Sequence, residues 1–303
     1  MYMNIIVTGG TGLIGRPLIE KLINTKYNVA SVVHVNANNC LYKDMNYVQY
    51  VCDLSNARKL SLDFLPHKAD AVIHLVQSNK YKDFPNSADD IFYTNVNSTF
   101  CMLEYARKHG VKTFILASSG GIYGFGENPF SEADAQICSK DLGFYLSTKM
   151  CAEALAENYK EYMNVIILRF FFVYGPNSKN TMLLPRLVTS ISNQKPISLQ
   201  GEKGININPI YVDDAINAIV ESLNLDTSCC INVAGKEVIT LRNLSELIGK
   251  KLNKKPIFEI EKSQPKHLIA DISKMKELIG ESKTSLDVGI ERLIVSMRSR
   301  GLL

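Results

Sequence analysis

The stretch Asn4-Ile5-Ile6-Val7-Thr8-Gly9-Gly10-Thr11-Gly12-Leu13-Ile14-Gly15 decides how this chain is read. A short apolar run ends in glycines, and helical spacing follows at Leu13, Leu18, Leu22 and Ile23. Gly10, Gly12 and Gly15 satisfy GxGxxG, and Gly9, Gly12 and Gly15 also satisfy GxxGxxG. Early glycines permit a tight turn, the middle one lets backbone approach a pyrophosphate, and the last lets the helix pack closely. Free N–H groups where the helix opens, around Leu13, Ile14 and Gly15, add the positive dipole end that holds the anion. Glycine turns without a ligand are common. The place of this one, between a clean strand and a clean helix, turns a weak pattern into a strong one for a dinucleotide.

Outward from that turn, strand signals recur at Asn28–Val35, Tyr47–Cys52, Ala71–Leu75, Thr113–Ala117 and Val165–Phe170. Helical stretches lie between several of them, notably Asp90–His109 and Tyr145–Tyr162. Short apolar strands alternating with helices imply an α/β fold with a doubly wound, parallel, Rossmann-like sheet. After Phe170 the pattern loosens. Ile205–Tyr211 reads as a strand leading to a helix at Asp213–Leu223, and Leu241, Leu244, Leu247 and Ile248 share one helical face. The expected organisation is a cofactor domain over 1–170, completed by parts of 205–235. A smaller, mainly C-terminal substrate-binding region would occupy 171–303.

Of the 303 residues, 46% are hydrophobic and 21% charged, and the net charge of +4 is scattered, which argues against nucleic acid as a partner. No apolar run approaches the roughly 20 residues that span a bilayer, and nothing resembles a leader peptide. The seven cysteines include no CxxC and read as reduced thiols, and the five histidines show no ligand spacing for a metal. A cytoplasmic protein without metal is expected.

The choice between NAD and NADP stays open. No acidic residue lies between Glu20 and Asp44, so the usual partner of the adenosine ribose is missing. His34 or Asn36 could face the extra phosphate of NADP, and His34 reads equally well as a surface residue at a strand end. Asp53, before Leu54, can accept from an adenine amino group or cap a helix. Tyr145 and Lys149 stand one helical turn apart, where an ammonium favours the phenolate and suits the tyrosine to proton transfer. Ser119 follows the fifth predicted strand, where such sheets present ligand contacts.

Together these features resemble the extended short-chain dehydrogenase/reductase superfamily, in its NAD-dependent epimerase/dehydratase branch. The resemblance runs through the glycine turn, Asp53-Leu54, His74-Leu75, Asn95-Val96-Asn97 and Ser118-Ser119-Gly120-Gly121-Ile122-Tyr123-Gly124. It continues through Tyr145 with Lys149 and Glu153, Leu168-Arg169, Val173-Tyr174-Gly175-Pro176 and Tyr211-Val212-Asp213-Asp214-Ala215. It implies Tyr145 as acid/base, Lys149 on the nicotinamide ribose and tuning Tyr145, and Ser119 orienting the substrate oxygen. It also implies Asn95 supporting the active-site helix, Leu75 and Val76 lining the cofactor groove, and Phe171 near the nicotinamide. A nucleotide-activated sugar is the implied substrate, handled by a C4 epimerase or 4-ketoreductase. Pairing of the helices Asp90–His109 and Tyr145–Tyr162 into a homodimer is implied too, with Leu103, Ala106, Ala152, Leu155 and Ala156 as packing surface.

The chain departs from that pattern in three places. Gly120 and Gly121 stand where dehydratases carry Asp-Glu, which argues against 4,6-dehydration. Phe172 replaces a substrate-touching Asn, and Gly204–Ile210 lacks the Arg expected on a sugar-nucleotide pyrophosphate, leaving Arg186, Lys179 or Lys203 as substitutes. A reductase of a non-nucleotide carbonyl compound is therefore the second reading, and a non-catalytic nicotinamide-binding regulator the third.

Overall fold

Strand and helix alternate in the order the apolar runs require. The computed structural model describes residues 2–25, 27–34, 40–55, 61–137 and 142–303. Along the chain lie β1 (Asn4–Thr8), α1 (Gly15–Asn24), β2 (Asn28–Val33), β3 (Tyr47–Val51), β4 (Ala71–His74), α2 (Ala88–Phe92), α3 (Ser98–Lys108), β5 (Thr113–Ser119), α4 (Phe144–Glu157) and β6 (Asn164–Phe170). There follow α5 (Leu183–Ser192), β7 (Ile197–Gln200), β8 (Asn206–Ile207), α6 (Val212–Ser222), β9 (Cys229–Val233), β10 (Ile239–Thr240), α7 (Leu241–Leu252), β11 (Phe258–Glu261), α8 (Ser273–Ile279) and α9 (Leu286–Ser299).

A seven-stranded sheet has the order β3-β2-β1-β4-β5-β6-β9. The pairs β3–β2, β2–β1, β1–β4 and β4–β5 are parallel. Chain order reverses between β1 and β4, so their carboxyl ends flank the switch point at which such sheets bind ligands. β4 is buried throughout and β5 nearly so, as a sheet covered on both faces demands. On one face Ile6, Val72, Phe114 and Ile167 pack with Met102, Leu103, Ala106, Ala152 and Ala156. α1 contributes the buried residues Leu18, Ile19, Leu22 and Ile23.

Contacts divide the chain into two units. One comprises Met1–Ile122, Gln136–Arg169 and Ile219–Ile231; the other Tyr123–Ala135, Phe170–Ala218 and Asn232–Leu303. The first carries β1 to β5 and α1 to α4. The second contains two small sheets, β10–β8 antiparallel and β11–β7 parallel.

Four expectations need correction. The helix expected over Asp90–His109 is interrupted: α2 passes into a π-helical turn, Tyr93–Asn97, before α3 begins. α4 ends at Glu157 rather than Tyr162, because the Asn158 side chain donates to the Ala154 carbonyl at 2.7 Å and the chain turns. The strand expected over Ile205–Tyr211 shrinks to Asn206–Ile207, since Pro209 has no N–H to continue a ladder. Leu103, Ala106, Ala152 and Ala156 are no outward packing surface. They are core residues, at most 1% exposed, and Leu155 packs partly buried against the same core.

Among the described residues no helix is long and apolar enough to cross a membrane, and no group of three or more His, Cys, Asp or Glu could hold a metal ion.

Candidate active site

The glycine turn is built from two glycines that the backbone requires and one that it does not. Gly9 has φ +74°, and a Cβ there would lie 3.0 Å from the Leu75 carbonyl carbon and the Val76 nitrogen, so the turn abuts the end of β4. A Cβ on Gly15 would lie 2.2 Å from the Gly9 oxygen. Gly12 differs: its N–H donates to the Gly9 oxygen at 3.0 Å, and a Cβ there would meet that oxygen alone, at 3.2 Å. The protein does not fill the space above Gly12. α1 then opens without a side-chain cap: Arg16 N–H donates to the Gly12 oxygen at 3.2 Å and Pro17 has no N–H, which leaves the N–H groups of Leu13, Ile14 and Gly15 at its open end. This cradle fits a dinucleotide pyrophosphate lying over Gly12 against Leu13, Ile14 and Gly15.

Around the expected adenosine end, His34 Nε2 stands 3.7 Å from Asp53 Oδ1. Burial alone would raise the Asp53 carboxyl. The Ser55 hydroxyl and N–H, at 2.6 and 2.9 Å, with His34 and Lys80 beyond, outweigh it and hold the carboxyl below its usual range. Asn36 lies outside the described residues. The Leu54 side chain is 4% exposed and belongs to the core, so only its backbone is left for a ligand. Leu75 and Val76 are half-buried beside the glycine turn.

The first unit also brings the expected catalytic residues into one bonded framework. Asn95, 2% exposed in the π-helical turn, accepts from the Ser78 N–H at 3.0 Å and donates to Thr148 Oγ1 at 2.9 Å. It thereby ties the segment after β4 to α4, between Tyr145 and Lys149. Lys149 Nζ donates to the Ala117 carbonyl on β5 at 3.0 Å. Burial pulls this ammonium down to about 8, against the raising effect of Glu153. The Glu153 carboxylate itself accepts from Arg169 Nη2 at 2.7 Å and from Gln136 Nε2 at 3.0 Å. Arg169 therefore takes up a carboxylate that could otherwise pair with Lys149.

Tyr145 Oη donates to Gln77 Oε1 at 2.9 Å, and its ring lies 5.1 Å from that of Tyr81. Burial, with Tyr81 adding to it, raises its phenol above the ordinary value. The expected lowering by Lys149 is thus not found in this arrangement, where burial dominates and the ammonium is engaged at Ala117. Ser119, at the end of β5, accepts from the Gly121 N–H at 3.2 Å, which fixes its hydroxyl. A Cβ on Gly121 would lie 2.9 Å from Leu146 Cδ2, so this turn has no room for the acid a dehydratase needs there unless Leu146 moves.

Beneath the framework, Thr8 Oγ1 lies 2.9 Å from His74 Nδ1 and Ser98 Oγ lies 3.4 Å from its Nε2. Ser98 gives its own proton to the Thr94 carbonyl. It can therefore only accept from Nε2–H, and Nδ1 accepts from Thr8. Burial, then Lys149, depress His74 to about 3, so it stays neutral.

The sequence did not point to Gln77, Tyr81 or Thr148 as neighbours of the site. Thr148 lies inside the Tyr-x-x-x-Lys window and Gln77 directly follows Leu75-Val76, and those positions were the available signals. In the second unit, Phe171 is 1% exposed in a cluster with Tyr123, Ala234, Leu268 and Ala270. Phe172 beside it has φ 46°. Arg186, Lys179 and Lys203 are all exposed.

Residues 5–234 match the model of the NAD dependent epimerase/dehydratase family. The chain is 30% identical to the UDP-glucuronate 4-epimerase of Thermodesulfobacterium geofontis, over 95% of this chain and 94% of that protein. It is 29% identical to the dTDP-4-dehydro-6-deoxyglucose reductase of Escherichia coli, over 98% of both. Its structure resembles that of the Bacillus cereus UDP-glucuronic acid 4-epimerase in complex with UDP-glucuronic acid and NAD. The TM-score is 0.86 at 26% identity, covering 98% of this chain and 100% of that one.

Proposed function

Because the chain belongs to the NAD dependent epimerase/dehydratase family, we propose that it is a nucleotide-sugar C4 epimerase that uses a nicotinamide cofactor and in which Tyr145 moves the proton. The observation that carries this reading is the Asn95–Thr148 and Lys149–Ala117 bonding, which holds α4 so that Tyr145 and Lys149 face one way from a fixed helix. Bound at the glycine turn, the cofactor supplies the hydride chemistry. The residues of the chain do the rest. Ser119 orients the C4 oxygen, and Tyr145 takes and returns its proton. To do so Tyr145 must release Gln77, and the Lys149 ammonium must turn from Ala117 toward the ribose and the phenolate. Gly120 and Gly121 provide no acid/base pair, so water is not eliminated.

A 4-ketoreductase is the second reading, favoured by the likeness to the Escherichia coli reductase over 98% of both chains. The two differ in whether the cofactor is regenerated or consumed. The deciding experiment incubates the purified protein with UDP-, GDP-, CDP- and dTDP-sugars and their 4-keto forms, following the C4 epimer and the absorbance of reduced cofactor. Epimer formed without net cofactor change supports the epimerase. Net oxidation with a keto substrate supports the reductase. Turnover of only non-nucleotide carbonyl compounds overturns both.

We further propose a cytosolic homodimer paired through the outward faces of α2 to α4. Phe92 and Phe100 are each 45% exposed there, and Cys151 and Ala154 face outward on α4.

A further inference from the structure

Histidines with no ligand spacing along the sequence are brought together by the fold. His67, in the connection between β3 and β4, and His109, which closes α3, place Nδ1 and Nε2 3.2 Å apart, with ring centroids 5.3 Å apart. His109 is fixed from behind. Its Nδ1 lies 2.9 Å from the Tyr105 carbonyl oxygen, a group that only accepts, so Nδ1 carries the proton. Its ring stacks on Tyr105 with centroids 4.4 Å apart. A neutral His109 therefore aims a bare Nε2 lone pair at His67. A backbone carbonyl holding one ring nitrogen while the other stays free is how metal-binding imidazoles are oriented. The spacing does not depend on the two rings alone, because the Tyr105 hydroxyl donates to the carbonyl of Pro66, next to His67.

We propose that His67 and His109 form a two-imidazole site for a borderline transition cation of the zinc class, clamping the β3–β4 connection to the end of α3. Two nitrogens bound at about 2.0–2.1 Å with tetrahedral angles stand about 3.3 Å apart, so the spacing already matches, and binding asks each ring to tilt by about 35° so that both lone pairs meet at the metal. Imidazole nitrogen suits zinc, copper or nickel, whereas magnesium and calcium prefer oxygen. In the metal-free pair the His67 Nδ1–H donates to His109 Nε2. On binding, that proton passes to solvent and His67 gains one at Nε2, so both rings stay neutral. Two metal–nitrogen bonds replace two metal–water bonds. His67 is exposed, and water completes the coordination. No oxidation or reduction is involved.

The test is calorimetric titration of the full chain with Zn2+, with melting temperature as a second readout. One saturable site per chain is expected, weakened by about 10-fold or more in His67→Ala and in His109→Ala. It should persist in the Cys40→Ser and Cys151→Ser variants, which remove exposed thiols. The rise in melting temperature with Zn2+ should vanish in the histidine variants. Imidazole 15N shifts of the unmodified chain give the answer without any variant: Zn2+ must move His67 and His109 and leave His34 and His267 in place. Absence of a saturable site, a site that survives either histidine replacement, or shifts confined to other residues would overturn the assignment.

Discussion

Tyr145 gives its phenolic hydrogen to Gln77 at 2.9 Å while Lys149, one helical turn on, gives an N–H to Ala117 at 3.0 Å. The two groups proposed for proton transfer are each parked on a neighbour, and burial keeps the phenol protonated. Tyr145→Phe removes the transferred proton but little packing. Turnover should fall by about 10²–10⁴ with cofactor affinity nearly kept. Near-normal turnover of the substrate found in the sugar panel would end the mechanism. Lys149 adds a pH limb. Its ammonium is present below its folded value of about 8 and is lost as pH rises through that value. kcat/KM should therefore decline above about pH 8, and a flat alkaline profile would show that the ammonium is not needed.

Gly12 and Gly15 should fail in different ways. A side chain at Gly12 meets a single oxygen at 3.2 Å, so Gly12→Val should fold and melt almost normally yet lose NAD binding. A Cβ at Gly15 collides with the Gly9 oxygen at 2.2 Å, so Gly15→Ala should lower the melting temperature as well. Normal NAD affinity in a folded Gly12→Val protein refutes the pyrophosphate assignment.

The pairing of His34 with Asp53 bears on cofactor choice. A carboxylate 3.7 Å from the imidazole, held ionised, repels a 2′-phosphate placed there. NAD should bind more tightly than NADP, and Asp53→Asn should narrow the gap. Fluorescence titration with both reduced cofactors measures it, and tighter NADPH binding to the unmodified protein would contradict the prediction.

The ion pair of Arg169 with Glu153 is buried on both sides, with side chains 7% and 4% exposed. Arg169→Met strands a carboxylate in the core, and should cost about 3–5 kcal/mol by urea unfolding. Lys160→Met, which removes a partly exposed pair with Glu157, should cost no more than about 1 kcal/mol. Equal costs would mean that burial does not govern the difference.

For the dimer, Phe100→Glu should leave a folded monomer by light scattering, because Phe100 is exposed on α3. Leu103→Glu should unfold the chain, because Leu103 is fully buried. A monomer in the unmodified protein, across micromolar concentrations, would exclude the pairing.

The strands were legible because a sheet covered on both faces demands unbroken apolar runs, as at Ala71–His74 and Thr113–Phe114-Ile115-Leu116. The glycine turn was legible because close backbone approach leaves no alternative to glycine at Gly9 and Gly15. Apolar content did not reveal which way a helix face points. Leu103 and Ala152 suit a core and an interface equally, and the sheet claimed them. Gln77, Tyr81 and the His67–His109 pair were invisible for another reason: their partners lie far away in sequence, and no local periodicity encodes such a meeting.

The π-helical turn at Tyr93–Asn97 sets a limit on how this chain can vary in length. Its wider loop carries Asn95, whose two hydrogen bonds reach Ser78 and Thr148. Such a turn is an α-helix with a residue inserted, and each residue of an α-helix turns the chain by about 100°. The wider turn absorbs that rotation, so deleting one residue between Tyr93 and Asn97 would restore a regular helix and leave α3 in register. Met102, Leu103 and Ala106 would stay on the core, and Asn95 would lose the bulge that carries it to Ser78 and Thr148. Loss of a single codon in this segment should therefore cost the Asn95 bridge and spare the core, whereas the same loss at Phe100, inside the regular α3, should turn Met102, Leu103 and Ala106 by about 100° out of it.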